Sequence, residues 1–357
     1  MEYFNLLENQ GHEQVVFCSN KEAGLKSIIA IHNTTLGPAI GGTRMWHYAT
    51  TDAALKDVLR LARGMTYKAA VAGLNLGGGQ AVIIGNSETG KNELLFRTFG
   101  KFIAGLGGRY ITAEDVGTEM RDMEFIRMET KHVTGISKAL GGSGDPAPVS
   151  AYGVYIGMKA CAKEKLGNDS LEGKKVVVQG AGRVAHYLCE HLSNENADIY
   201  VTDIREDRIK RLVSFVKAVV VKPDEVYDIK GDIFAPCALG GIINDDTISR
   251  LNYKIIAGVA NNQLEDEEKN GKALFEKGIL YAPDYVINAG GLINVANELE
   301  GYRHDRALKR AESIYDIIIK VIEISKKMNI PTNKASNLLA EERLKNIGGI
   351  RNIYSGF

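Results

Sequence analysis

Two places in the chain pair side chains that can bind a phosphate or move a proton with a spacing that makes the chemistry workable. The first is Gly180-Ala-Gly-Arg-Val-Ala185. It follows a β-branched run over 174–179 and opens a helical pattern over 183–192, the setting in which a G-x-G-x-x-A sequence binds a dinucleotide. Gly180 would make the tight turn and Gly182 would let backbone approach a pyrophosphate. Ala185 would allow close helix–strand packing, and N–H groups at the helix start would face the phosphates. Asp203 closes the next strand roughly twenty residues on, where a carboxylate accepts from a ribose 2′-hydroxyl. Its charge repels a 2′-phosphate, so NAD is expected over NADP, although Arg205 nearby could bind that phosphate.

The second place is the first third of the chain. Lys68 follows a helical pattern, Gly73-Leu-Asn-Leu-Gly-Gly-Gly79 runs into Gln80, and the strand pattern 109–116 carries Glu114 and Asp115. Neighbours on a strand point to opposite faces, so the two carboxylates cannot both serve one site directly. Gln80 can donate and accept hydrogen bonds but cannot take a proton.

The elements that must position these groups follow from periodicity. Strands are expected over 13–18 and 25–32. Thr51 and Asp52 cap a helix over 51–65, with Leu55, Val58, Leu59 and Ala62 on one face. Gly64 ends this helix, which puts Lys68 just beyond it. Residues 77–79 read as a flexible turn before the strand 81–84, and a helix spans 94–106. Gly141-Gly-Ser-Gly-Asp-Pro-Ala-Pro148 is the clearest break in composition and reads as an interdomain hinge. A helix over 149–165 leads into strand–helix alternation, the signature of a parallel sheet covered on both faces. One long amphipathic helix is expected over 306–328, with Pro331 ending the pattern. The tail from Asn333 reads as mixed helix and loop, packed back on the first domain. Trp46 reads as core.

Apolar residues make up 45% and charged residues 25% of 357 residues, which suits two soluble α/β domains. Forty-four basic side chains balance forty-four acidic ones, so no global field draws nucleic acid or an anionic membrane. The polar, acidic start is unlike a signal peptide, and no apolar run is long enough to span a bilayer. The scattered Cys18, Cys161, Cys189 and Cys237 lack metal-ligand spacing and are expected to be reduced and mostly buried, as in a cytoplasmic protein.

Five segments together resemble the leucine dehydrogenase branch of the Glu/Leu/Phe/Val amino-acid dehydrogenases. They are Leu36-Gly-Pro-Ala-Ile-Gly-Gly-Thr-Arg-Met-Trp46, Gly64-Met-Thr-Tyr-Lys68, Leu74-Asn-Leu-Gly-Gly-Gly79, Tyr110-Ile-Thr-Ala-Glu-Asp-Val-Gly-Thr118 and Pro283-Asp-Tyr-Val-Ile-Asn-Ala-Gly-Gly291. The resemblance covers essentially the whole chain, in order. It implies an N-terminal α/β substrate and oligomerisation domain (1–140 with about 332–357), a doubly wound Rossmann-type NAD-binding domain (141–331), and a cleft between them. It also implies NAD-dependent oxidative deamination of branched-chain L-amino acids, the reverse reductive amination, and a homo-oligomer, dimer or octamer.

Carried over residue by residue, Lys68 binds the substrate carboxylate and Asp115 manages protons at the amine. Gly41, Gly42, Met65 and Asn262 contact substrate, and Ile40, Ala113, Leu292 and Val295 line an apolar side-chain pocket. Ser150, Arg183, Val184, Cys237, Ala238, Asn261 and Asn288 join Gly180, Gly182 and Asp203 at the cofactor. Arg183 replaces a small polar residue usual in such relatives, and either pairs with the pyrophosphate or is a solvated surface side chain. The family's glycine run ends in a lysine that acts as general base on water, and here Gln80 stands in its place. Losing such a base costs about 10²–10⁴-fold. Three activities fit such a chain: a weakened dehydrogenase, a reductase of preformed or cyclic imino acids, and a binding protein for NAD and an amino acid without turnover.

Overall fold

The computed structural model describes residues 3–350. It divides into two compact units. The first holds the described residues up to Asp145, with Val295–His304 and those from Ala340 onward; the second holds Pro146–Asn294 and Asp305–Leu339.

The first unit begins with α1 (Tyr3–Gln10), β1 (Gln14–Asn20), β2 (Leu25–Asn33), β3 (Ala39–Trp46) and α2 (Thr51–Val71). It continues with β4 (Gly77–Ile84), α3 (Glu93–Gly105), β5 (Tyr110–Glu114) and α4 (Met120–Arg127). The sheet order is β1-β2-β4-β3-β5. β2 pairs antiparallel with β1 and β4, whereas β3 pairs parallel with β4 and β5. Both faces are covered, which explains the near-continuous apolar reading of β2. Ile28, Ala30 and Val82 meet Leu55, Val58, Leu59 and Ala62 of α2 on one face. Ile29, Ile31, Ala81 and Ile83 meet Phe96, Phe99 and Ile103 of α3 and Met123 and Ile126 of α4 on the other.

The first unit departs from the pattern read in its sequence at three places. Thr50 caps α2 by accepting from the Ala53 N–H, and the helix runs through Gly64 to Val71, so Lys68 lies inside its last turn. A helical glycine costs only about 1 kcal/mol, and burial of Thr66, Ala69 and Ala70 beyond it sustains the helix. Gly77, Gly78 and Gly79 are not a turn: all three belong to β4. The space they leave is filled by neighbouring backbone, since a Cβ on Gly78 would lie 2.0 Å from the Thr66 nitrogen. Trp46, at the end of β3, is 52% exposed rather than core.

The second unit opens with α5 (Ala147–Leu166), β6 (Lys175–Gln179), α6 (Arg183–Asn194), β7 (Asp198–Thr202), α7 (Glu206–Val213) and β8 (Val219–Val220). β9 (Lys230–Pro236), α8 (Asp245–Arg250), β10 (Asn252–Ile256), α9 (Glu267–Glu276), β11 (Leu280–Tyr281) and α10 (Asp284–Ile287) follow. Its six strands are all parallel, in the order β8-β7-β6-β9-β10-β11. Counted from β6 this is 3-2-1-4-5-6, the doubly wound dinucleotide-binding order, whose direction reverses between β6 and β9.

α11 (Gly290–Ala296), α12 (His304–Ala311), α13 (Ser313–Met328) and α14 (Thr332–Ile350) complete the described chain. The single helix expected over 306–328 is two helices, because the helical pattern breaks at Glu312. The tail is one continuous helix over its described part, and 351–357 lie outside the described residues. From α14, Arg343 donates to the carbonyls of Ala70, Gly73 and Leu74 and to Asn75 Oδ1, taking up acceptors at the α2 C-terminus. Among the described residues no helix is long and apolar enough to cross a membrane. All four cysteines are free, Cys18, Cys161 and Cys189 are buried, and burial pushes the Cys161 and Cys237 thiols up to about 12.

Candidate functional site

In the first unit the site is built on close packing. Side chains alternate along a strand, so Gly78, Gln80 and Val82 share the face of β4 that carries α2. The absent side chain at Gly78 lets the helix backbone settle on the strand, and Gln80 follows two residues along, 3% exposed. Gly41 and Gly42 of β3 serve the same end. A Cβ on Gly41 would fall 1.7 Å from the Gly79 carbonyl oxygen, and one on Gly42 would fall 2.6 Å from Asp115 Cβ.

Gln80, Gly42 and Asp115 therefore meet. Gln80 Oε1 accepts from the Gly42 N–H at 2.9 Å, and its Nε2 donates to Asp115 Oδ2 at 2.8 Å. Both ends of the amide are engaged. Arg44, two residues beyond Gly42, donates from Nε to the same Oδ2 at 3.1 Å and from a terminal nitrogen to Asp57 Oδ2 at 3.0 Å. Tyr48 donates to Asp57 Oδ2 at 2.6 Å. Burial works against the Arg44 charge, but Asp115 and Asp57 outweigh it and hold the guanidinium above its ordinary range. Burial, then the bond to Asp57, raises Tyr48 as well, so its hydroxyl stays a donor.

Lys68 is part-buried, in the last turn of the helix that lies on Gly78. Met65 is part-buried on α2, and Ile40 and Ala113 are buried on β3 and β5. Beneath α2, His32 Nδ1 lies 2.8 Å from Thr66 Oγ1 and its Nε2 donates to the Gln10 carbonyl. Burial first, then neighbouring His12, brings His32 down to about 4.

In the second unit the fingerprint sits at the C-terminal end of β6, beside the switch to β9. Gly180 has φ +109°, which favours glycine, and it packs against Cys237 and Ala238 of the loop after β9. Gly182 caps α6 with no side-chain bond, and a Cβ there would meet nothing within 4 Å. Its open side suits a pyrophosphate approaching the helix start, where Arg183 and Val184 begin α6. Asp203 Oδ2 accepts from the Ala181 N–H at 2.7 Å and Oδ1 from the Arg205 N–H at 2.8 Å. The Arg205 guanidinium is taken up by Asp207. Asn288 donates to the Val259 carbonyl and to Asn261 Oδ1, while its own Oδ1 is buried without a partner. Asn262, beside Asn261, adopts φ +50°, which asparagine tolerates better than most residues. Ser150 lies in the first turn of α5, and a Cβ on Gly291 would meet its Oγ at 2.7 Å. Leu292 of the second unit is buried, as is Val295, which α11 carries into the first unit. An open glycine turn, a carboxylate at the end of β7 and an orphaned amide acceptor together fit a nicotinamide dinucleotide.

Sequence reasoning missed Arg44, Asp57 and Tyr48. Arg44 stood inside a recognised segment, but no spacing joins a strand residue to Asp57 on the following helix.

The doubly wound fold and the family matches below define a Rossmann-type, NAD(P)-dependent oxidoreductase. The chain belongs to the Glu/Leu/Phe/Val dehydrogenase family. The model for the Glu/Leu/Phe/Val dehydrogenase dimerisation domain matches residues 12–132, and that for glutamate/leucine/phenylalanine/valine dehydrogenase matches 141–204 and 199–347. The chain is 60% identical over 345 residues to leucine dehydrogenase of Thermoactinomyces intermedius, covering 97% of this chain and 94% of that one. It is 48% identical to valine dehydrogenase of Streptomyces virginiae, covering 94% of each. The crystal structure of L-tryptophan dehydrogenase from Nostoc punctiforme superposes with a TM-score of 0.85 at 47% identity, covering 96% of this chain and 99% of that one.

Proposed function

We infer that the chain carries out NAD-dependent oxidative deamination of branched-chain L-amino acids, and the reverse amination, at a rate lowered by Gln80. The observation that carries this reading is the Gln80 amide, placed between the Gly42 N–H and Asp115 in a chain 60% identical to a leucine dehydrogenase over 97% of its length. In this reading Lys68 holds the substrate carboxylate, and Asp115 takes a proton from the substrate ammonium. NAD, when bound, supplies the hydride acceptor. Water must then add to the imino acid and give up a proton, and Gln80 has no site to receive it. Ile40, Ala113, Leu292 and Val295, proposed around the side chain, carry no charge, so a glutamate carboxylate would lack a partner there.

Asp203, with both oxygens already accepting backbone N–H groups, favours a ribose hydroxyl over a 2′-phosphate. Gly180, Gly182, Arg183, Val184, Ser150, Cys237, Ala238, Asn261 and Asn288 form the rest of the proposed cofactor site, and Gly41, Gly42, Met65 and Asn262 the rest of the substrate site. A cytoplasmic homo-oligomer belongs to the same proposal. Its support is the dimerisation domain matched over 12–132 and four cysteines held as free thiols.

The test is NADH formation with L-leucine, L-valine and L-isoleucine against L-glutamate, with NAD and with NADP. Slow turnover of the branched substrates with NAD is expected. NADH oxidation with a cyclic imino acid, but none with a 2-oxo acid plus ammonium, would move the reading to an imine reductase. Thermal stabilisation by NAD and leucine without turnover would move it to a binding protein.

A further inference from the structure

We propose that Arg44, braced by Asp57 and Tyr48, is the positioning residue for Asp115, and that proton exchange with substrate occurs at Asp115 Oδ1. The proposal rests on the reading that Asp115 handles the substrate's proton. A carboxylate oxygen has two lone-pair directions, and those of Oδ2 are taken by Gln80 Nε2 and Arg44 Nε. A proton arriving at Oδ2 would have to displace a guanidinium bond, whereas Oδ1 accepts neither of these donors.

The brace draws on three separate elements, so the carboxylate has a defined place. Arg44 comes from β3, Asp57 from α2 and Asp115 from the segment after β5. The Asp115 backbone is fixed as well: its N–H donates to Thr118 Oγ1 at 3.0 Å, and that hydroxyl lies 2.8 Å from the Thr43 carbonyl oxygen. Gly42 admits Asp115 Cβ against β3 where any side chain would push it away. The guanidinium fork is what spans two carboxylates on divergent axes, which a lysine ammonium cannot match. Tyr48 holds Asp57 in turn, so the chain Tyr48–Asp57–Arg44–Asp115 sets which oxygen is presented without any of the first three touching the reacting atoms.

The experiment is steady-state deamination of L-leucine by the parent, Arg44→Ala, Arg44→Lys and Tyr48→Phe, with thermal unfolding of each and added guanidinium for Arg44→Ala. Misplacing a reacting group by about 1 Å costs on the order of 10²-fold. The kcat of Arg44→Ala is therefore expected to fall about 10²-fold while KM for leucine moves by less than about threefold. Guanidinium should restore part of that kcat, Arg44→Lys should recover less than full activity, and Tyr48→Phe should lose the least. An unchanged kcat, a rise in KM alone, or a loss that follows melting temperature and ignores guanidinium would each overturn the proposal. If the parent turns over no amino acid, the reading of Asp115 itself falls, and with it this inference; that result is seen before any variant is measured.

Discussion

Glycines gather in two regions of this chain and answer to different physics. In β3 and β4 they lie in regular strand, and the space they vacate is filled by protein: Thr66 backbone over Gly78, the Gly79 carbonyl against Gly41, Asp115 against Gly42. At the β6–α6 turn, Gly180 is required by its dihedral and Gly182 faces open space. The first group lets the protein approach itself and so places Gln80 and Asp115. The second leaves the turn open on the side where the pyrophosphate is proposed to lie. Glycine content alone does not separate these two uses; what occupies the vacated space does.

One alanine in each region separates the two uses of glycine. Gly78→Ala would push a methyl into helix backbone that has nowhere to go, and a loss of more than about 3 kcal/mol is expected, read by chemical denaturation. If Gly78→Ala folds with parental stability, the close-packing account of β4 is wrong.

The buried His32 gives a slightly smaller effect in the same region. Its neutral form bonds Thr66 and the Gln10 carbonyl, and its folded value of about 4 lies below the ordinary 6.5. The unfolded chain therefore binds the proton first as pH falls. Its contribution, about 3 kcal/mol, is fully present above pH 6.5 and is lost as pH drops towards 4. Denaturation curves from pH 7.5 to 4 should show this slope, and His32→Gln should flatten it.

Gly182→Ala should do the reverse of Gly78→Ala. Stability should stay within about 0.5 kcal/mol of the parent, since the methyl meets nothing, while NAD binding by calorimetry weakens about tenfold. A variant that binds NAD normally would mean the phosphates do not lie over this turn.

The same contrast explains what was legible in the sequence. The nucleotide unit could be read closely because a local motif, strand–GxGxxA–helix–Asp, carries its own context within about thirty residues. The glycines of β4 read as a turn because their reasons for being there are distant in sequence: Gly78 makes room for α2, Gly77 for the Asn33 carbonyl and Gly79 for Tyr110 and the Ala30 carbonyl, and a run of glycines has no periodicity to betray it. The extension of α2 past Gly64 likewise depends on burial against β2 and β4, which overrides a weak local preference. Lys68, Gln80 and Asp115 are proposed as site residues only through resemblance to a family. The brace behind Asp115 was not, because Arg44, Asp57 and Tyr48 become neighbours only when β3 and α2 are both in place.

In the proposed reading Asp115 still accepts the substrate's proton, and Gln80 leaves the attacking water without an acceptor for its own. The most direct measurement is kcat for L-leucine with NAD, parent against Gln80→Lys, with NAD affinity measured on both. A rise of about 10²–10⁴-fold is expected in the lysine variant, with NAD binding unchanged. A parent as fast as Gln80→Lys, or a lysine variant that binds NAD and remains as slow as the parent, would contradict it.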